Sequence, residues 1–128
     1  MMGGQGQAAE LVQVLNSASA ANTAAATSGW IDVRKYEGDL VFLINPGAIT
    51  GSLTPSIEDA TDSGGTGAAA VTAHEGAYTA LTANTSRKYT INASNVRGWV
   101  RFVGTVVTGP ALIGVQLASH PKYTSGFG

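Results

Sequence analysis

Gly98-Trp99-Val100-Arg101-Phe102-Val103-Gly104-Thr105-Val106-Val107-Thr108-Gly109-Pro110-Ala111-Leu112-Ile113-Gly114-Val115-Gln116-Leu117-Ala118 decides the fold class. In residues 98–108, Val100, Phe102 and Val106 share one parity, while Arg101 stands on the other with Trp99 beside it. That period of two is what a half-buried β-strand requires, because successive side chains leave opposite faces of the sheet. Residues 111–118 repeat the apolar run after Thr108-Gly109-Pro110, a natural hairpin connection, so the two segments read as an antiparallel pair.

Working outward, residues 88–92 form a further short strand candidate. Residues 52–58 alternate Leu53, Pro55 and Ile57 against Thr54, Ser56 and Glu58, with Pro55 expected at a sheet edge or beside a bulge. They lead into Asp62-Ser63-Gly64-Gly65-Thr66-Gly67, a loop rich in residues that tolerate positive φ. Residues 40–45 read as a buried strand, preceded by turn chemistry at Tyr36-Glu37-Gly38-Asp39 and stopped by Asn45-Pro46-Gly47. Residues 30–33 form a short β-branched and apolar run.

Two segments are ambiguous. Ala8, Leu11, Val12 and Leu15 fit a helical stripe, but Val12-Gln13-Val14 also alternates, and the Ser- and Thr-rich residues that follow favour the strand. Residues 68–83 are Ala-rich, and a weak strand is expected where Ala77, Thr79 and Leu81 alternate with Tyr78, Ala80 and Thr82. About eight short β-runs between Gly, Pro and Asn turns predict an all-β chain. It is expected as one antiparallel β-sandwich or barrel-like domain over residues 11–123, with flexible arms at 1–10 and 124–128. Leu40, Phe42, Ile44, Val100, Phe102, Val106, Ile113 and Val115 are its expected core.

Composition narrows the function. Only 12% of the 128 residues are charged and the net charge is −1, so the electrostatic attraction on which nucleic-acid binding depends is missing. The longest strongly apolar stretch, Leu40 to Ile44, is far too short to span a bilayer, so a soluble chain without membrane partner or signal peptide is expected. Cysteine is absent, which excludes disulfides and thiolate chemistry.

Catalytic patterns are weak. His74 and His120 stand alone in the sequence, and each reads as an ordinary loop or strand-end histidine. Glu58, Asp59 and Asp62 resemble a calcium loop only superficially, since the Glu at loop position 12 is missing; they read as a solvated acidic turn. No Gly-x-Ser-x-Gly elbow occurs, and no Lys-Ser/Thr follows the glycine loop. Asn84-Thr85-Ser86 and Asn92-Ala93-Ser94 match the glycosylation tripeptide, as chance matches in an Asn-, Ser- and Thr-rich chain do. No catalytic residue, cofactor or metal ligand is assigned. The residue types common at protein interfaces are Trp and Arg, so Trp30, Tyr36, Arg97, Trp99 and Arg101 are the interface candidates, with Tyr123 and Phe127 as C-terminal anchors; Trp30, Tyr36 and Tyr123 read equally as core residues.

Asp32-Val33 followed by Tyr36-Glu37-Gly38, Leu40-Val41-Phe42-Leu43, Gly47-Ala48-Ile49-Thr50-Gly51, Ile57-Glu58-Asp59 with Asp62-Ser63-Gly64, and Val100-Arg101 occur in an order that resembles the head-decoration (auxiliary capsid, or cement) proteins of tailed bacteriophages. The resemblance covers roughly residues 11–123. It implies a non-enzymatic β-sandwich, made in the host cytoplasm, that binds the major capsid protein on the outer virion surface beside further copies of itself. A head-to-tail joining or tail-tube protein, or a carbohydrate-binding adhesin stacking sugars on Trp30, Trp99 or Tyr78, are the alternatives.

Overall fold

The computed structural model describes residues 10–20, 25–82 and 85–121 of the protein. They form nine strands in chain order: β1 (Glu10–Ala20), β2 (Ala25–Thr27), β3 (Ile31–Asp32), β4 (Tyr36–Ile49), β5 (Ser52–Ala60), β6 (Ala69–Ala70), β7 (Arg87–Asn92), β8 (Trp99–Val107) and β9 (Ala111–Pro121). One sheet has the order β1-β9-β4-β7, the other β2-β8-β5-β6 with β3 also paired to β8. Every strand pairing is antiparallel. The ambiguous N-terminal segment is therefore strand from Glu10 onward, paired to β9 along its length. Glu10, the last residue of the expected N-terminal arm, belongs to β1; the rest of the expected arms and the anchors Tyr123 and Phe127 lie outside the described residues.

The layers are a sandwich, not a closed barrel. Leu40, Phe42, Ile44, Ile91, Ile113, Val115 and Leu117 from the first sheet meet Leu53, Ile57, Val100, Phe102 and Val106 from the second in one buried cluster. All eight residues expected in the core are at most 2% exposed. Alternation on each strand puts one parity into this layer and leaves the other outside.

β8 and β9 are consecutive in sequence yet belong to different sheets, so the expected hairpin pairing does not form. The Thr108-Gly109-Pro110 turn instead carries the chain from one layer to the other. β9 pairs with β1 and β4, and β8 with β2, β3 and β5. At this corner Gly51, in the turn between β4 and β5, lies so close to the turn after β8 that a Cβ would collide with the Val107 and Thr108 carbonyl oxygens.

β4 also departs from expectation, because Tyr36–Asp39 is not a turn and Asn45-Pro46-Gly47 is not a stop. The turn falls one step earlier, at Arg34 and Lys35, and register shifts after Glu37 and Pro46 absorb the local irregularities while β9 continues to pair. Gly38 has φ +73°, which suits the first irregularity. Pairing with β7 ends at Ile44, so Pro46 lies where that side of β4 has no ladder to break.

β5 is not an edge strand, since β8 and β6 flank it, but β6 pairs only with Glu58 and Asp59 and leaves the outer side of β5 at Pro55 without a ladder. Leu53 exchanges backbone hydrogen bonds with Leu81, and Ile57 accepts one from Val71, all on the side of β5 away from β8. Pro55 has the same parity, so its missing N–H belongs to that outer side, between those contacts. The weak strand expected at 77–82 reduces to the single Leu53–Leu81 bridge, and only Leu81 among its alternating residues is buried. The segment instead crosses the open side of the sandwich: Val71 and Leu81 hold β5, while the His74 N–H donates to the Thr90 carbonyl on β7.

Candidate protein interface

Trp30-Ile31-Asp32-Val33-Arg34 and Arg97-Gly98-Trp99-Val100-Arg101 run antiparallel across β3 and β8, with Ile31 opposite Val100 and Asp32 opposite Trp99. Continuing that register sets Trp30 opposite Arg101 and Arg34 opposite Arg97. The Arg101 guanidinium lies 4.6 Å from the Trp30 ring centroid, and that of Arg34 lies 5.4 Å from Trp99. These are cation–π distances. Both indoles stay partly exposed on the outer face of the second sheet, while Val100 and Phe102 enter the core.

Each arginine also holds a carboxylate. Arg101 pairs with Glu58 at 2.8 Å across β8 and β5, where the two residues are directly opposite. Arg34 donates from Nε and Nη2 to the two oxygens of Asp32, at 2.9 and 2.7 Å. Those hydrogen bonds hold the Asp32 carboxyl down to about 2. The face is thus aromatic and hydrogen-bonding but locally charge-balanced, a surface that costs less to desolvate than one with unpaired charges.

Arg97 has a different task. Its backbone N–H, Nε and Nη2 all donate to the carboxylate of Asp59, whose side chain is 8% exposed, and Nη2 also reaches the carbonyls of Asp59 and Gly67. Hydrogen bonds from the Arg97 side chain lower the Asp59 pKa against the opposing effect of burial. Arg97 therefore clamps the segment before β8 to the end of β5 and to the glycine loop. Asp62 shapes that loop by accepting from the Thr66 hydroxyl at 2.7 Å and from the Gly64 and Thr66 N–H groups. Gly65, at φ +83°, packs so tightly against the Trp30 indole that a Cβ would stand 2.7 Å from its Nε1.

The expected acidic turn is thereby corrected: Glu58 and Asp59 are strand residues with arginine partners, and Asp62 alone is a loop residue. Of the two readings open for Tyr36, core or contact, its 2% exposure selects the core, with Lys35 Nζ 5.2 Å from its ring centroid. Trp30, Trp99 and Arg101 are brought together as one face. Arg34 and Asp32 were not among the candidates, although Trp30, Asp32 and Arg34 share a parity that mirrors Arg97, Trp99 and Arg101.

The remaining polar candidates are accounted for structurally. Glu75 accepts from the Thr90 N–H at 2.6 Å and its hydroxyl at 2.7 Å, beside an exposed His74. His120 is exposed near the end of β9, opposite Glu37. Asn92 accepts from the Ser94 N–H and hydroxyl, capping a 3-10 turn at Ala93–Asn95. Among the described residues, no three His, Asp or Glu side chains gather as a metal site.

No protein-family model matches the chain, and no curated protein matches it. Among solved structures, it is similar to one described as the crystal structure of PirA, at 11% identity and a TM-score of 0.46, over 88% of this chain and 92% of that one.

Proposed function

We propose that the protein is a structural, non-enzymatic virion component, a decoration or cement subunit that docks on the major capsid protein at the outer surface of a tailed-phage head. The observation that carries the docking reading is the pair of cation–aromatic contacts, Arg101 on Trp30 and Arg34 on Trp99, side by side on one sheet face. Trp and Arg dominate the energetics of protein interfaces, and here their rotamers are already held by carboxylates and by the glycine loop, so little ordering entropy remains to be lost on docking. The phage-head assignment itself rests on the sequence resemblance.

A sugar-stacking adhesin is less well supported, because each indole already carries a guanidinium over its ring. The test is co-sedimentation of the purified protein with capsids that lack it. Trp30→Ala and Trp99→Ala should each weaken binding at least tenfold, about 1.4 kcal/mol or more. Leu112→Ser, at an exposed position on the outer face of the other sheet, should leave it unchanged. Wild-type affinity in a folded Trp30→Ala/Trp99→Ala double variant would remove this face from the interface, and failure of the wild-type protein to bind any capsid would overturn the reading.

A further inference from the structure

The two ends of the first sheet are finished differently. At one end β7 has its backbone taken up by the segment that follows β6: Glu75 accepts from the Thr90 N–H, and the His74 N–H donates to the Thr90 carbonyl. At the other end stands β1, which among the described residues pairs only with β9. Among those residues, no backbone hydrogen bond from a turn or loop reaches Glu10–Ala20. An antiparallel strand offers N–H and C=O groups along both of its edges, so the outward row of β1 is an open template for another strand.

Such edges are commonly blunted by brevity, by charge or by proline. β2, β3 and β6 are blunted by brevity, with three, two and two residues. β1 has eleven residues, and residues 11–31 contain neither a charged residue nor a proline. Its register against β9 shifts between Gln13 and Leu15 and between Leu15 and Ala18, which leaves regular runs at 10–13 and 18–20.

The occupant that matches this edge is a second β1. Pairing along its length needs an uncovered edge of similar length, and among the described strands β1 itself is the one that qualifies. Two antiparallel copies in full overlap set Glu10 opposite Ala20 of the partner subunit. Residues 10–12 of each copy then meet residues 18–20 of the other, both within regular runs, and the irregular stretch 13–17 lies across the twofold axis. A strand set against itself pairs like charges wherever a charge falls near the axis, and β1 has none there. Its one charged residue, Glu10, would stand about 34 Å from its counterpart at a rise of about 3.4 Å per residue, well beyond a screening length of about 8 Å.

We propose that β1 pairs with β1 of a second copy, an isologous twofold contact that joins two four-stranded sheets into one of eight strands. The contact is independent of the capsid reading, because Trp30 and Trp99 lie on the other sheet. An edge-to-edge contact buries little area, so the dimer belongs with weak, reversible interfaces.

The test is sedimentation velocity of the full-length protein from roughly 5 μM to 1 mM, where a weak dimer should form progressively and stop at two copies. Leu11 and Ser19 are in register with Ala118 and Leu112 of β9, neither of which is buried, and they face each other across the proposed axis. Leu11→Lys/Ser19→Lys sets like charges opposite at both ends of the pair and should weaken the dimer at least tenfold. Leu11→Lys/Ser19→Glu sets opposite charges there and should keep the wild-type affinity within about threefold. In the wild type, amide hydrogen exchange within residues 10–20 should slow at least fivefold across the same concentrations, while that of the Thr90 amide stays the same. Trp30→Ala/Trp99→Ala should dimerise as the wild type does, so loss of docking and loss of this contact are read separately. A monomer at every concentration, assembly beyond two copies, equal affinities in the two charge variants, exchange in β1 that ignores concentration, or loss of the dimer in the tryptophan variant would each overturn the proposal.

Discussion

The Ser28 hydroxyl accepts a hydrogen bond from the Phe102 N–H at 2.9 Å and donates one to the Gly29 carbonyl. Among the described residues, the hydroxyl of Ser119, a residue 1% exposed, has no hydrogen-bond partner. Losing one partner of a buried pair strands the other, whereas removing a group that is already unpartnered removes a desolvation cost. Ser28→Ala should therefore cost about 1–3 kcal/mol, and Ser119→Ala should be neutral or stabilising by about 1 kcal/mol. Urea unfolding of both variants checks this, and equal losses would contradict it. Asp59 adds a pH dependence. Its folded pKa lies below the ordinary 3.8, so protonation favours the unfolded chain. Its contribution is complete above about pH 4 and is lost as pH falls through the lowered folded value. Asp59→Asn should melt below the wild type at neutral pH, with the two melting temperatures converging as the pH falls through the lowered folded value; a constant difference would contradict the assignment.

At the scale of elements, the β7 edge is guarded by side chains as much as by strands. β7 ends its sheet, and a free edge there would present the Thr90 N–H as a template for another chain. Glu75 takes that N–H, and although burial raises its pKa, the Thr90 hydrogen bonds bring the net value below the usual 4.5. Tyr78 fastens the same segment by donating to the Val71 carbonyl, and burial pushes its phenol up to about 12, so the donor proton stays in place at any ordinary pH. Glu75→Ala should raise the hydrogen-exchange rate of the Thr90 amide by about tenfold or more, since a charge-assisted bond contributes roughly 1.5–3 kcal/mol. An unchanged rate would show that backbone packing alone protects the edge. This crossing segment was the least legible part of the sequence, because its hydrogen bonds go to β5 and β7 and leave no internal period to read. β4 was half legible for a related reason: Pro46 reads locally as a stop, but pairing to β9 outweighs that preference once β7 no longer needs the same stretch. β8 was legible throughout because its two faces meet different environments. The same parity marked Trp99 and Arg101 as candidates, whereas the partnership of Trp30 with Arg101 depends on a register between distant strands.

Over the whole molecule, neighbours in the sheets are mostly distant in the chain: β1 lies beside β9, β2 beside β8, and β4 beside both β7 and β9. Neither sheet can be completed without drawing on both halves of the sequence, and each supplies one wall of the same buried layer. Residues 71–82 add hydrogen bonds to both sheets, and the turn after β8 passes the chain directly from one to the other. A sheet that opened alone would expose half of the shared core and strand those bonds, so the protein should unfold in one cooperative step. The two tryptophans report the outer face of the second sheet, while the amides of β4 and β9 report the centre of the first. Tryptophan fluorescence and the NMR intensities of the Phe42 and Val115 amides, followed through the same urea series, should give coincident midpoints. Their agreement would mean that the Trp30–Trp99 face persists for as long as the core does; an earlier fluorescence midpoint would show that the face loosens separately, and that docking would have to supply the order assigned here to the fold.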